Sequence, residues 1–137
     1  MIGGSGPMWD KTKANEWPWY EDFRTSITTV EIRDEVTHLG DYAFSDLTNL
    51  TSVTIGSGVT TIGKYCFAND GKIESLTLPA GLTSIGEGAF KDTAKLTSMV
   101  IPDSVTSLGS YLFLNSGIEE VTFPASVTAI PNNCLFH

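Results

Sequence analysis

The chain holds only two cysteines and two histidines among 137 residues, and each scarcity excludes a class of protein. A disulfide-framed secreted scaffold needs a dense, even set of cysteines. A metal centre needs several converging ligands, whereas His38 and His137 lie far apart in the chain. Neither a metal nor another cofactor is expected. Apolar runs are a few residues long, far short of the ~20 that a membrane-spanning helix requires. The opening MIGGSGPMWDK has neither the basic region nor the apolar region of a secretory signal. That leaves an intracellular protein, or a secreted one seen without its targeting segment. A natural start at Met1 would place it in the cytoplasm, and a fragment of a secreted protein would belong outside the cell or on its surface. The same Gly-rich start lacks the Lys-Ser/Thr of a phosphate loop and any strand before it.

Positive charge is scarce as well. Eight Lys and Arg stand against sixteen Asp and Glu, for a net charge of −8, and from Leu96 to His137 there is no Lys or Arg. Such a field repels a nucleic-acid backbone and an anionic membrane, so neither is an expected partner. The acidity either keeps a small protein soluble or complements a basic protein, for example a nucleic-acid enzyme whose site is occluded.

What the chain does have is a repeat. From Ile27 it falls into copies 27–49, 50–72, 73–95, 96–117 and a partial 118–137, with a period of 23 residues and one deletion in the fourth copy. Apolar residues recur at positions 1, 4, 6, 10, 13, 17 and 18, which in the second copy are Leu50, Val53, Ile55, Val59, Ile62, Cys66 and Phe67. The 4-to-6 spacing and β-branched residues predict a short strand in every copy. Gly56, Pro79, Pro102 and Pro124 close it, and a second extended stretch follows (VTTIG, LTSIG, VTSLG). Its glycines, Gly40, Gly63, Gly86 and Gly109, are expected at positive φ. The stretch around the aromatic, as in GDYAFSD, predicts a tight turn or one helical turn. No copy can bury both its faces alone, so the copies must stack with their apolar columns in register.

The LTSVTIPxxVTSIGxxAFxxC pattern over 27–137 resembles the BspA-like subclass of leucine-rich repeats. The preceding GSGPMWD and WPWYEDFRTSIT are similar to the segment before the first repeat in such proteins. The resemblance implies a right-handed leucine-rich-repeat solenoid of short parallel strands. It also implies roles in adhesion, matrix or receptor binding, often as one module of a longer chain, and no catalytic residues. One departure concerns the Asn or Cys of the commoner leucine-rich pattern, replaced here by Glu35, Gly58, Gly81, Ser104 and Ser126. A threonine column at 37, 60, 83, 106 and 128 is expected instead to bond each coil to the next.

No catalytic set assembles. Cys66 and Cys134 occupy the same repeat position three copies apart. At ~4.8 Å per coil that is roughly 14 Å, too far for a disulfide with its ~7 Å limit, so each is expected to be a small buried hydrophobe. His38 shares its slot with Thr61, Ser84, Ser107 and Ala129, which marks a surface residue. The adjacent acids Asp34–Glu35 and Glu119–Glu120 point to opposite faces of a strand, so neither pair converges on a substrate.

Binding by a protein partner is the remaining expectation. The outward strand slots hold Thr29 and Glu31, Ser52 and Thr54, Ser75 and Thr77, Ser98 and Val100, and Glu120 and Thr122. This face lacks aromatic and Arg anchors, and at roughly 400–500 Å² it falls short of the ~800 Å² per side of a standard interface. The rims vary more between copies. There Tyr42, Tyr65 and Tyr111 form one column broken by Gly88, with Asp46, Asp70 and Asp92 close behind as partner-binding candidates. Residues 1–26 carry Trp9, Trp17, Trp19, Tyr20 and Phe23 and are expected to cap the first coil, with Trp9 or Trp17 as a possible exposed anchor. The last copy presents Val121, Phe123, Ile130, Leu135 and Phe136, candidates for self-association as a homodimer.

Overall fold

A computed structural model describes residues 6–7 and 23–127. The strands, all short, are β1 (Gly6–Pro7), β2 (Thr29–Ile32), β3 (Val36–Leu39), β4 (Ser52–Ile55), β5 (Thr61–Ile62), β6 (Ser84–Ile85), β7 (Ser98–Val100), β8 (Ser107–Leu108) and β9 (Glu120–Thr122). Every pairing is parallel, and β5, β6 and β8 follow β3 in steps of 23 residues, as in His38 with Thr61 and Thr61 with Ser84. The chain is a solenoid: each copy makes one coil, and each coil lies on the last. Among the described residues no helix is long and apolar enough to cross a membrane.

A coil has three sides. The first carries β2 and β4 as one two-stranded sheet and β7 and β9 as another. The second carries a continuous five-stranded sheet in the order β1-β3-β5-β6-β8. Gly6–Pro7 supplies its first strand, beside Val36 and His38. The third side is a run of turns around the aromatic, with no helical turn in it.

Backbone bonds tie the coils together in two opposite senses. On the two sheet sides the later coil donates at many positions, as in Thr51 N–H to Thr28 O at 2.9 Å and Gly63 N–H to Leu39 O at 2.8 Å, and the earlier coil at others, as in Ile101 N–H to Thr122 O at 2.9 Å. On the turn side the earlier coil donates, as in Tyr42 to Lys64, Phe44 to Cys66 and Asp46 to Ala68, each at 2.9 Å. Almost every second residue is thereby satisfied without helix or long strand.

The seven apolar columns meet inside. Leu50, Val59, Cys66 and Phe67 are fully buried, and the same positions in the third and fourth coils are filled by Leu82, Ala89, Phe90, Leu96, Val105, Leu112 and Phe113. Phe44, Phe67, Phe90 and Phe113 stack down the axis with centroids 5.5, 5.7 and 5.8 Å apart. Cys66 is free, as its register position requires, and burial pushes its thiol well up, with nearby Asp70 adding to the shift. Cys134 lies outside the described residues.

The glycines act differently from the expectation. Positive φ does not fall on Gly40, Gly63, Gly86 and Gly109 but on Tyr42, Tyr65, Gly88 and Tyr111, and again on Asp46, Asn69, Asp92 and Asn115. Asp and Asn tolerate that conformation best among residues with a side chain, which accounts for the second column. The VTTIG-type glycine is needed for close approach instead. A Cβ on Gly63 would lie 2.6 Å from Asp41 N and 2.7 Å from Gly40 C, and one on Gly86 would lie 2.7 Å from Gly63 C.

Candidate functional site

The rim column is built by the backbone before it can serve a partner. Tyr42 and Tyr65 are half-buried and stack at 5.3 Å. The Tyr65 ring extends over Gly88, where a Cβ would sit 2.6 Å from its Cδ1. Its hydroxyl donates to Glu87 Oε1 at 2.9 Å, and desolvation followed by Glu87 pushes the phenol up to about 12. Gly88 thus completes the column rather than breaking it. Tyr111 is 38 % exposed and remains the open member.

The acidic candidates divide. Asp46 accepts from Asn69 Nδ2 at 2.6 Å, and Asp92 pairs with Lys91 Nζ at 2.7 Å, each at a positive-φ corner. Asp70 is corrected outright: it is 0 % exposed and cannot meet a partner from outside. Its Oδ1 accepts the Leu47 N–H at 2.9 Å, while Oδ2 has no hydrogen-bond partner. Burial drives its carboxyl well up, against the Leu47 hydrogen bond and with a smaller push from Asp46. The equivalent positions hold Leu47, Thr93 and Ser116, so this column faces inward. An acid there reads as rim in sequence because its neighbours Asn69 and Lys72 are exposed.

Two further expectations change. His38 is half-buried, not a plain surface residue, and its Nδ1 is hydrogen-bonded to Thr61 Oγ1 one coil on. The threonine column bonds the preceding coil rather than the following one, Thr60 Oγ1 to Thr37 O at 3.2 Å and Thr83 Oγ1 to Thr60 O at 2.9 Å. The ladder is exposed.

The first sheet side holds what the sequence does not show. Residues 73–79 alternate in burial as a strand does, with Leu76 and Leu78 in and Ser75 and Thr77 out, yet they join neither β4 nor β7. The other two sides of this coil stay closed, with Thr83 N–H to Thr60 O at 2.7 Å and Phe67 N–H to Ala89 O at 2.9 Å. The coils therefore part on one side only. Equivalent glycines register the parting. A Cβ on Gly58 would overlap the Asp34 carbonyl, whereas one on Gly81 would meet Ser57 O at an ordinary 3.8 Å. At this junction Pro79 replaces the Gly56 of the coil before, removing an N–H from the ladder.

A cleft of about 760 Å³ opens over residues 75–78, 98–104, 120 and 122–124, a volume within the ~300–1,000 Å³ of ligand-binding clefts. A smaller hollow of about 340 Å³ lies between 51–55 and 75–79. Val100, 65 % exposed, stands in the large cleft in a slot that other copies give to Glu31, Thr54, Thr77 and Thr122. That apolar residue in a hydroxyl column was the available signal. Asp103 and Glu120 line the same cleft, and no Lys or Arg does.

At the ends, Phe23 is 53 % exposed. Val121 and Phe123 are half-buried against the core. Trp9, Trp17, Ile130, Leu135 and Phe136 lie outside the described residues.

Comparison with known proteins agrees with this geometry. The family model described as a BspA type leucine-rich repeat region (6 copies) matches residues 20–137. A leucine-rich repeat protein from Eubacterium ventriosum ATCC 27560, known by its crystal structure, is 36% identical with a TM-score of 0.86, over 94% of this chain and 34% of its own. One from Bacteroides ovatus ATCC 8483 is 32% identical with a TM-score of 0.73, over 80% of this chain and 28% of its own. The T. pallidum leucine-rich repeat protein, at 22% identity and a TM-score of 0.74, shares the fold over 86% of this chain and 52% of its own. This chain thus spans about a third of the first relative, 34%, and less of the second, 28%. No curated protein matches.

Proposed function

The chain belongs to the BspA-type leucine-rich repeat family, and from that premise we propose that it is a non-catalytic protein-binding module of a bacterial-type surface or adhesion protein. The observation that carries this reading is the solenoid opened along one side. A rigid stack closed on its second and turn sides presents a cleft on the first, with the exposed Val100 inside it. Several polar side chains hold coils together: Asp34 accepts from Ser57 N–H at 2.8 Å, Asp41 from Lys64 N–H at 2.7 Å, and His38 is hydrogen-bonded to Thr61. Relatives about three times longer fit the role of one module in a larger protein.

The net charge of −8 favours one second reading, an acidic inhibitor or adaptor of a basic protein. Immobilised chain exposed to extracellular-matrix proteins and intact cells separates the two. Saturable retention on a matrix protein or cell surface is expected. Retention of neither, with stoichiometric capture and inhibition of a purified basic nuclease, would replace the first reading with the second.

A further inference from the structure

Among the described residues, the cleft on the open side is where shape, exposed apolar area and charge coincide. Leu78, Val100, Pro102 and Phe123 contribute apolar surface along it. Val100 is out of place for a soluble strand: an isopropyl group 65 % exposed, in a column otherwise filled by Thr and Glu. Exposed apolar surface rimmed by polar groups marks a contact region.

Charge then selects the occupant. Asp103 and Glu120 are exposed at the cleft, and no cationic side chain of this chain lies between Leu96 and His137 to offset them. An anionic partner would meet uncompensated repulsion, while a cationic one would gain in steering and register. Backbone adds a third element. Residues 73–79 run between two strands without entering either ladder, so the cleft floor carries peptide groups that no neighbouring strand has taken. An extended chain offers peptide groups in return.

We propose that this cleft binds an extended polypeptide segment in which apolar side chains alternate with lysine or arginine. The apolar side chains pack on Val100 and Phe123, and the cationic ones reach Asp103 and Glu120. The inference rests on the protein-binding reading and names the class of partner that the site takes.

A fluorescent Lys-Val repeat peptide of about eight residues, ~26 Å long when extended at ~3.3 Å per residue, tests it by anisotropy. Wild-type chain is expected to bind this peptide saturably and to leave a Glu-Val repeat unbound. Val100→Lys and Glu120→Lys, both at exposed positions and so expected to keep the wild-type melting curve, should each weaken binding by roughly tenfold or more, as loss of an anchor does. Tyr111→Ala, on the opposite rim, should change it less than about twofold. Absence of Lys-Val binding to folded wild type overturns the proposal, and so does binding that both cleft variants leave intact. Loss of the cleft claim alone would show as retained wild-type binding to matrix proteins or cells. Failure of both assays would remove the protein-binding reading with it.

Discussion

Asp70 carries the clearest consequence at the scale of a single residue. Its position is apolar Leu47 one coil earlier, and it keeps a carboxyl with one unpartnered oxygen in the core. Burial raises its folded-state pKa above the ~3.9 of an unfolded Asp. The neutral acid is thus the form that the fold accepts. The titratable group acting on it is Asp46 on the preceding coil, which opposes its ionisation. By linkage, its contribution to stability is fully present below about pH 3.9 and is lost as pH rises through the raised folded value. Asp70→Asn keeps an acceptor for the Leu47 N–H and cannot ionise. At pH 7 this variant should be more stable than wild type by about 1–3 kcal/mol, and the gap should close near pH 3. Denaturant melts across that range check it, and a gap independent of pH would show that Asp70 does not titrate in the fold.

Elements reveal the spacing between coils, and two glycines measure it. Gly63→Ala places a methyl group against Asp41 and Gly40 in the closed second side, so a loss of about 2–3 kcal/mol is expected from overpacking. Gly81→Ala enters the parted corner, where the nearest atom is 3.8 Å away, and should stay within about 0.5 kcal/mol of wild type. Equal losses at the two sites, read by thermal melting, would mean that the corner is as tight as the rest. The seven apolar columns were legible because burial repeats every 23 residues and leaves its mark on Val53, Phe67 and their equivalents. Positive φ falls on a column that the sequence does not mark, since glycine signals it by composition and tyrosine does not. Here the coil-to-coil bonds from Tyr42 and Tyr65 N–H hold a conformation that their side chains would not choose. The parting at 73–79 was not legible at all. IESLTL reads as well as LTSVTI for a strand, and pairing depends on where the neighbouring coils lie.

For the whole molecule, one sequence repeat yields two continuous sides and one broken side. The continuous sides supply the rigidity of a stacked solenoid. The broken side concentrates what a partner can use: unpaired backbone, an exposed Val100 and uncompensated acids. The rims, which vary most between copies, largely serve the stack instead, through the Tyr42–Tyr65 pair and the Asp46–Asn69 bond. The central claim is therefore that the first side is open at the third coil in the free protein. Residue-resolved hydrogen exchange tests this directly, because ladder amides are protected and unpaired ones are not. Amides of Ser75, Leu76, Thr77 and Leu78 should exchange far faster than the bonded amides of Thr51, Ile101 and Glu119 on the same side or of Gly86 on the second, while Phe67 and Phe90 stay protected on the turn side. Equal protection of 75–78 and of Thr51, Ile101 and Glu119 would contradict the account, since it would mean a first side as closed as the other two.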